Sequence, residues 1–112
     1  MSELKETTNK IKQVIKIYKE NFPDVVIDRD YYPFKLTEEL GECMQIYLML
    51  TDRGRQKDMS KEEIRIELAK EMADVFGYIL AFADSEGIDL EEAIEEKWFS
   101  YLKSKIDTKT NS

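Results

Sequence analysis

Apolar residues recur every three or four positions along most of the chain, the period of amphipathic helices. Leu4, Ile11, Val14, Ile15 and Tyr18 mark a first helix from about Glu3 to Glu20. Asn21 to Asp30 breaks the period with Pro23 and several aspartates and reads as a loop, with Val25, Val26 and Ile27 as a short buried anchor. Pro33 suits the first turn of a second helix, which runs to about Asp52. The polar stretch Asp52 to Met59 is a connecting loop. Ser60 and Glu63 have the spacing of a capping box and start a third helix, which runs to about Glu86 and stops at Gly87. Asp89 and Glu92 repeat the cap pattern and start a fourth, which runs to about Ile106 before a polar, frayed tail at Thr108 to Ser112. Short connections make consecutive helices antiparallel neighbours. The expected fold is all-α, a four-helix bundle-like single domain over residues 1–107.

The acids sit in unexpected places. At about 100° per residue, Leu36, Leu40, Cys43, Tyr47 and Leu50 set the core face of the second helix. Glu39 falls about 60° from the centre of that stripe. Glu42 shares a sector with Ile46 and Met49, whereas Glu38 points with Gln45 and Gly41 into the polar sector. On the third helix Ile64, Leu68, Val75, Ile79 and Phe82 set the core face. Glu71 lies inside or beside that stripe, and Asp74 and Glu67 border it together with Tyr78. Residues three apart share a helix face, so Glu39 pairs with Glu42 and Glu71 with Asp74. Four such carboxylates repel one another and are costly to desolvate. The nearby cations are Lys35 and Lys70, and Lys70 points largely away from Glu71 and Asp74. One or two divalent cations are the more economical partners.

Composition narrows the chemistry. The formal net charge of -7 disfavours a nucleic-acid polymer as partner. The chain has no histidine, which removes His-based triads, His-bound zinc and the Glu-x-x-His di-iron site. A metal here must be held by oxygen, which favours hard ions such as Mg²⁺, Mn²⁺ or Ca²⁺. The one cysteine, Cys43, lies on an apolar face and is expected to be a buried thiol. Neither a signal peptide nor a long apolar run is seen, so no membrane partner and a cytoplasmic location are expected.

Glu38-Glu39-Leu40-Gly41-Glu42 and Glu71-Met72-Ala73-Asp74 resemble, in order, the E-E-x-x-E and E-x-x-D motifs of the MazG-like all-α nucleoside triphosphate pyrophosphohydrolases. Their flanks are similar too: Lys35-Leu36 before the first, Val75-Phe76-Gly77-Tyr78 after the second, then Gly87-Ile88-Asp89-Leu90-Glu91-Glu92-Ala93 leading to Glu96-Lys97. The similarity spans Lys35 to Tyr101, some three-fifths of the chain. The resemblance implies Mg²⁺-dependent hydrolysis (Mn²⁺ as a substitute) of a nucleoside triphosphate to the monophosphate and pyrophosphate, in keeping the nucleotide pool clean. It implies Glu39, Glu42, Glu71 and Asp74 as metal ligands and Lys97 as a phosphate contact. Tyr101 stands where the family often has asparagine, and the loop with Arg53, Arg55 and Lys57 is long for the family.

Without histidine, a carboxylate must orient or deprotonate the attacking water. Glu38 and Glu42 are the candidates, with Glu67 a third that helical geometry suggests. Lys35, one turn before Glu39, can contact phosphate or pair with that carboxylate. Trp98, Phe99 or Tyr101 can stack on a base or pack in a subunit contact. Ile46, Leu48 and Met49, with Trp98, Phe99, Tyr101 and Leu102, give more apolar surface than a small bundle hides, which predicts a homodimer or homotetramer. The competing readings are the same fold acting on another substrate such as phosphoribosyl-ATP, and a non-catalytic helical module.

Overall fold

The computed structural model describes residues 2–103. The predicted end of the last helix at Ile106 and the tail at 108–112 lie outside the described residues. Within them the fold is all-α: α1 spans Glu3–Asn21, α2 Tyr31–Leu50, α3 Lys61–Ser85 and α4 Leu90–Ile94. Helix α4 continues as a π-helical turn at Glu95–Phe99 and stays helical to the last described residue. No described helix is long and apolar enough to cross a membrane.

Local chemistry sets each boundary. The Ser2 hydroxyl accepts from the Lys5 amide at 3.2 Å and caps α1. At the start of α2 it is Asp28 that organises the turn, its Oδ1 accepting from the amides of Asp30 (3.1 Å) and Tyr31 (3.2 Å). The predicted capping box of α3 is present in both directions: the Glu63 amide donates to Ser60 Oγ at 3.1 Å, and the Ser60 amide to Glu63 Oε1 at 3.1 Å. Gly87 ends α3 with φ +69°, a left-handed conformation that favours glycine. Asp89 caps α4 by accepting from the Glu92 amide at 3.1 Å.

The loop from 51 to 60 is more ordered than its polarity suggests. Asp52, Lys57 and Asp58 all have positive φ, at 61°, 51° and 58°. Each such L-residue costs about 1 kcal/mol. Compensation comes from the carbonyls that α2 leaves open. Gln56 Nε2 donates to Met49 O at 2.7 Å, and Lys61 Nζ donates to Met49 O and Leu50 O, each at 3.1 Å. An ammonium at a helix C-terminus also meets the negative end of the helix dipole.

Helices α2 and α3 form a hairpin that carries most of the packing, and α1 lies along α3. The contact passes Gly77, where a Cβ would sit 3.7 Å from Ile11 Cδ1, an ordinary van der Waals distance. The rest departs from a closed bundle. The radius of gyration is 18.4 Å and the extents are 56 × 38 × 22 Å, against a radius of about 13 Å for a compact domain of this length.

The helices are also turned relative to the expected core faces. On α2, Cys43 is buried as expected and Leu36 and Leu50 are half-buried, but Leu40 and Tyr47 are exposed; Tyr31, Glu39 and Met49 take the inner positions. Ile46 and Met49, read as subunit contacts, belong to the inner side, whereas Leu48 is exposed. On α3, Ile64 is fully buried, Leu68, Val75 and Phe82 are half-buried, and Ile79 is exposed; Leu80, Ala81 and Ala83 are buried instead. Along α1, Val14 and Tyr18 are exposed. In the loop before α2, Val25 and Ile27 are half-buried but Val26 is not. The cause is common to all of them: an apolar arc wider than one partner can cover leaves the choice of inner side to the partner.

Candidate metal centre

Three acids of α2 and two of α3 converge along the inner seam of the hairpin. The three-residue spacing puts Glu39 and Glu42 on one side of α2, and Glu71 and Asp74 on one side of α3. Carboxylate oxygens of Glu38, Glu39 and Glu42 come within 4.8 Å of one another, and so do those of Glu39, Glu71 and Asp74. Glu39 belongs to both triads and is the hub.

Glu39 is only 9% exposed, the sole charged residue among the buried ones described. Its Oε2 and the Oε2 of Glu71 are buried without any hydrogen-bond partner. A buried carboxylate oxygen left unpaired is among the costlier defects a fold can carry. Burial, then the neighbouring Glu42 and Asp74 carboxylates, push the Glu39 carboxyl above the ordinary range. Glu71 is raised in the same way, by burial first and then by Glu42, Asp74 and Glu67.

Two features temper this negative field. Lys35 Nζ donates to Glu38 Oε1 at 3.0 Å and lies 3.5 Å from Glu39 Oε1. Burial opposes its charge, but Glu38 and then Glu39 outweigh burial and hold its pKa above the usual lysine value. The ammonium also stands 5.9 Å from the centre of the Tyr78 ring. Tyr78 and Tyr31 join α3 to α2 through a hydroxyl–hydroxyl hydrogen bond of 3.1 Å. Burial, followed by that hydrogen bond, raises the Tyr78 hydroxyl far above the ordinary tyrosine range, so it stays protonated.

The structure thus brings together Glu38, Glu39, Glu42, Glu71 and Asp74, with Lys35 at their edge. It does not bring Lys97 or Tyr101 to them within one chain. Both are exposed on the segment after Leu90, and neither has a hydrogen bond or ion pair with these carboxylates among the described residues. Glu67 is half-buried and pairs with Lys70 at 3.2 Å. Arg53, Arg55 and Lys57 are exposed on the loop. The tyrosine pair escaped sequence reading: Tyr78 stood beside Asp74 on the wheel, but only the register of the hairpin places Tyr31 opposite it.

The donor set fits a hard divalent cation. All donors are oxygens, several are pre-arranged, and two buried oxygens have nothing else to bind.

No protein-family model and no solved structure matches the chain. It is 37% identical to the Uncharacterized protein YvdC of Bacillus subtilis (strain 168), in an alignment that takes in 59% of this chain and 69% of that protein. Similarity of that level and coverage makes the chain a member of the same family as YvdC.

Proposed function

We propose that the chain is a Mg²⁺-dependent hydrolase that cleaves a ribo- or deoxynucleoside triphosphate to the monophosphate and pyrophosphate. One observation carries the reading: two buried, unpartnered carboxylate oxygens, on Glu39 and Glu71, inside an all-oxygen cluster. Such a cluster repels a polyphosphate unless cations intervene. Glu39, Glu42, Glu71 and Asp74 would hold the cation. When bound, it supplies positive charge that polarises the phosphoanhydride and neutralises the departing pyrophosphate. Glu38 and Glu42, two of the exposed acids of the cluster, would accept a proton from the attacking water. Lys35 is the cationic side chain at hand for a phosphate oxygen. The choice of the α,β anhydride rests on the resemblance to the MazG-like pyrophosphohydrolases.

The reading includes self-association and a cytoplasmic location. Phe34, Leu40, Met44, Tyr47 and Leu48 leave one side of α2 apolar and exposed, and Trp98, Phe99, Tyr101 and Leu102 do the same beyond α4. A second copy that covers these groups would supply the core that one chain lacks, and offers Lys97 and Tyr101 a route to a carboxylate cluster.

The test is pyrophosphate release across ribo- and deoxynucleoside triphosphates and phosphoribosyl-ATP, with Mg²⁺ and with chelator. Turnover that needs Mg²⁺ supports the reading. Diphosphate and orthophosphate as products, or no turnover of any member, would overturn it.

A further inference from the structure

The two carboxylate triads share Glu39 but differ in what already neutralises them. Lys35 binds the Glu38/Glu39/Glu42 triad through Glu38 at 3.0 Å and Glu39 at 3.5 Å. Its side chain is held in place: only 27% is exposed, it reaches these acids from one turn earlier on the same helix, and its ammonium stands 5.9 Å from the centre of the Tyr78 ring. The ring is fixed in turn by its hydrogen bond to Tyr31. In the Glu39/Glu71/Asp74 triad Lys35 reaches the shared Glu39 alone, at the longer distance of 3.5 Å. Among the described residues no lysine or arginine forms an ion pair with Glu71 or Asp74, and the nearby Lys70 is committed to Glu67 at 3.2 Å. Both unpartnered buried oxygens, Glu39 Oε2 and Glu71 Oε2, belong to this second triad.

We propose that the triads are unequal cation sites: Glu39/Glu71/Asp74 takes a divalent cation unaided, whereas Lys35 is the resident counter-ion of Glu38/Glu39/Glu42 and must leave before a cation can be held there. The proposal rests on reading the cluster as a divalent-cation site and adds an order of filling to it. Two positive groups cannot share one small set of oxygens without repelling each other, so Lys35 and a cation in the first triad exclude one another. An ammonium that leaves Glu38 still stands at the edge of the cluster, and a polyphosphate is the ligand that can draw it away. Lys35 would then exchange carboxylate oxygens for phosphate oxygens, and the first triad would take a cation more readily when substrate is present. Premature loading of the site by two ions is thereby avoided.

Mn²⁺ binding to the full chain, followed by the loss of the free-ion electron paramagnetic resonance signal and by calorimetry, tests this without reference to turnover. The wild-type chain should bind one Mn²⁺ well and a second at least about tenfold more weakly. Lys35→Gln should tighten the second by roughly tenfold and the first, which shares only Glu39 with the lysine, by clearly less, while Lys35→Arg should keep the wild-type pattern. Glu71→Gln should remove the first. Lys35→Met serves as a second neutral variant should the glutamine form new hydrogen bonds of its own, and circular dichroism checks the fold of each. Equal wild-type affinities for two ions, or unchanged binding in both neutral variants, would overturn the inequality while leaving the metal site standing. No Mn²⁺ bound by the folded wild-type chain would overturn the metal site itself, and this inference with it.

Discussion

The two sides of α2 invert the usual rule for a helix in a small protein. The inner side, against α3, carries charges: Lys35 is half-buried and Glu39 is buried, with Glu38 and Glu42 at the rim. The outer side, around Phe34, Thr37, Leu40, Gly41, Met44, Tyr47 and Leu48, covers about 140° of the circumference, carries no charge, and is exposed apart from the half-buried Pro33. A helix that only had to stabilise one chain would be the other way round. Each side therefore points to something the isolated chain does not supply. The charged seam calls for positive charge. The uncharged outer side calls for an apolar cover. In the proposed reading, catalysis and self-association use opposite faces of the same twenty-residue helix.

The strongest way to break this comparison is to remove charge from the inner side. Glu71→Gln should lower turnover by at least about a hundredfold, since loss of an outer-shell partner alone costs 10–100-fold in comparable sites. The same change should leave the folded content by circular dichroism intact and raise the melting temperature in chelator, because it removes repulsion among buried carboxylates. Wild-type turnover, measured as pyrophosphate release, would show that Glu71 is no ligand. A fall in stability would show that the seam is not under charge strain.

The outer side responds to the opposite change. Leu48 is 42% exposed in the single chain, so Leu48→Asp should do little to the helix itself, within about 0.5 kcal/mol for a surface substitution. In an assembly that buries it, an unpaired carboxylate costs several kcal/mol. Sedimentation velocity should therefore show the variant as a folded monomer at concentrations where the wild-type chain is a dimer or tetramer, with reduced turnover. A wild-type monomer that is fully active at micromolar concentration would refute the role given to this side.

These two sides were not equally legible in the sequence. The caps were, because they are local: Ser60 with Glu63, Asp89 with Glu92 and Gly87 each act within one turn. The carboxylate pairs were legible as pairs, because spacing on one helix fixes them. The rotation of α2 was not. Leu36, Leu40, Cys43, Tyr47 and Leu50 form one inner stripe, but the arc through Cys43, Ile46 and Met49 forms another, and a helix with apolar residues on both flanks of its acids has no single preferred side. The tyrosine bridge between Tyr31 and Tyr78 depends on the register between two helices, which no local rule sets. For the same reason the path of α4, and with it the place of Lys97 and Tyr101, could not be read from spacing on that helix.

Acid offers a gentler probe of the inner side. Glu39 and Glu71 have carboxyls raised in the folded chain, so the folded state binds their protons more tightly than the unfolded one. Between the unfolded value near 4.5 and the raised folded values, stability falls as pH rises, and the destabilisation is complete above the folded values. In chelator the melting temperature should therefore rise as pH is lowered from 7 towards 5. Glu63, lowered by its hydrogen bonds to Ser60, and Glu86, lowered by Arg29, act in the opposite sense, but only as pH falls below about 4.5. Saturating Mg²⁺ should flatten the rise, and at a hundred times its dissociation constant should add about 2.7 kcal/mol of stability at neutral pH. A melting temperature that stays flat from pH 7 to 5 in chelator would place the acids in solvent, and one that falls would mean that they are held ionised in the folded chain.

The smallest change tests the outer side most sharply, because its sign depends on what covers that side. Gly41 sits mid-helix with ordinary helical geometry, and a Cβ built there meets nothing within 4 Å in the single chain. In a monomer, Gly41→Ala should therefore stabilise α2 by about 0.5–1 kcal/mol, through helix propensity and a less flexible unfolded chain. If a second copy lies against the outer side, Gly41 falls within the contact, on the same face as Leu48 two turns later. A methyl group there would hold the two helices apart and weaken their packing. The two effects separate in a double comparison. In the monomeric Leu48→Asp background Gly41→Ala should raise the melting temperature, while in the wild-type background it should lower the association constant. Stabilisation by the same amount in both backgrounds, with association unchanged, would mean that no close-packed copy covers this part of α2, and that the uncharged side serves a partner that leaves Gly41 free.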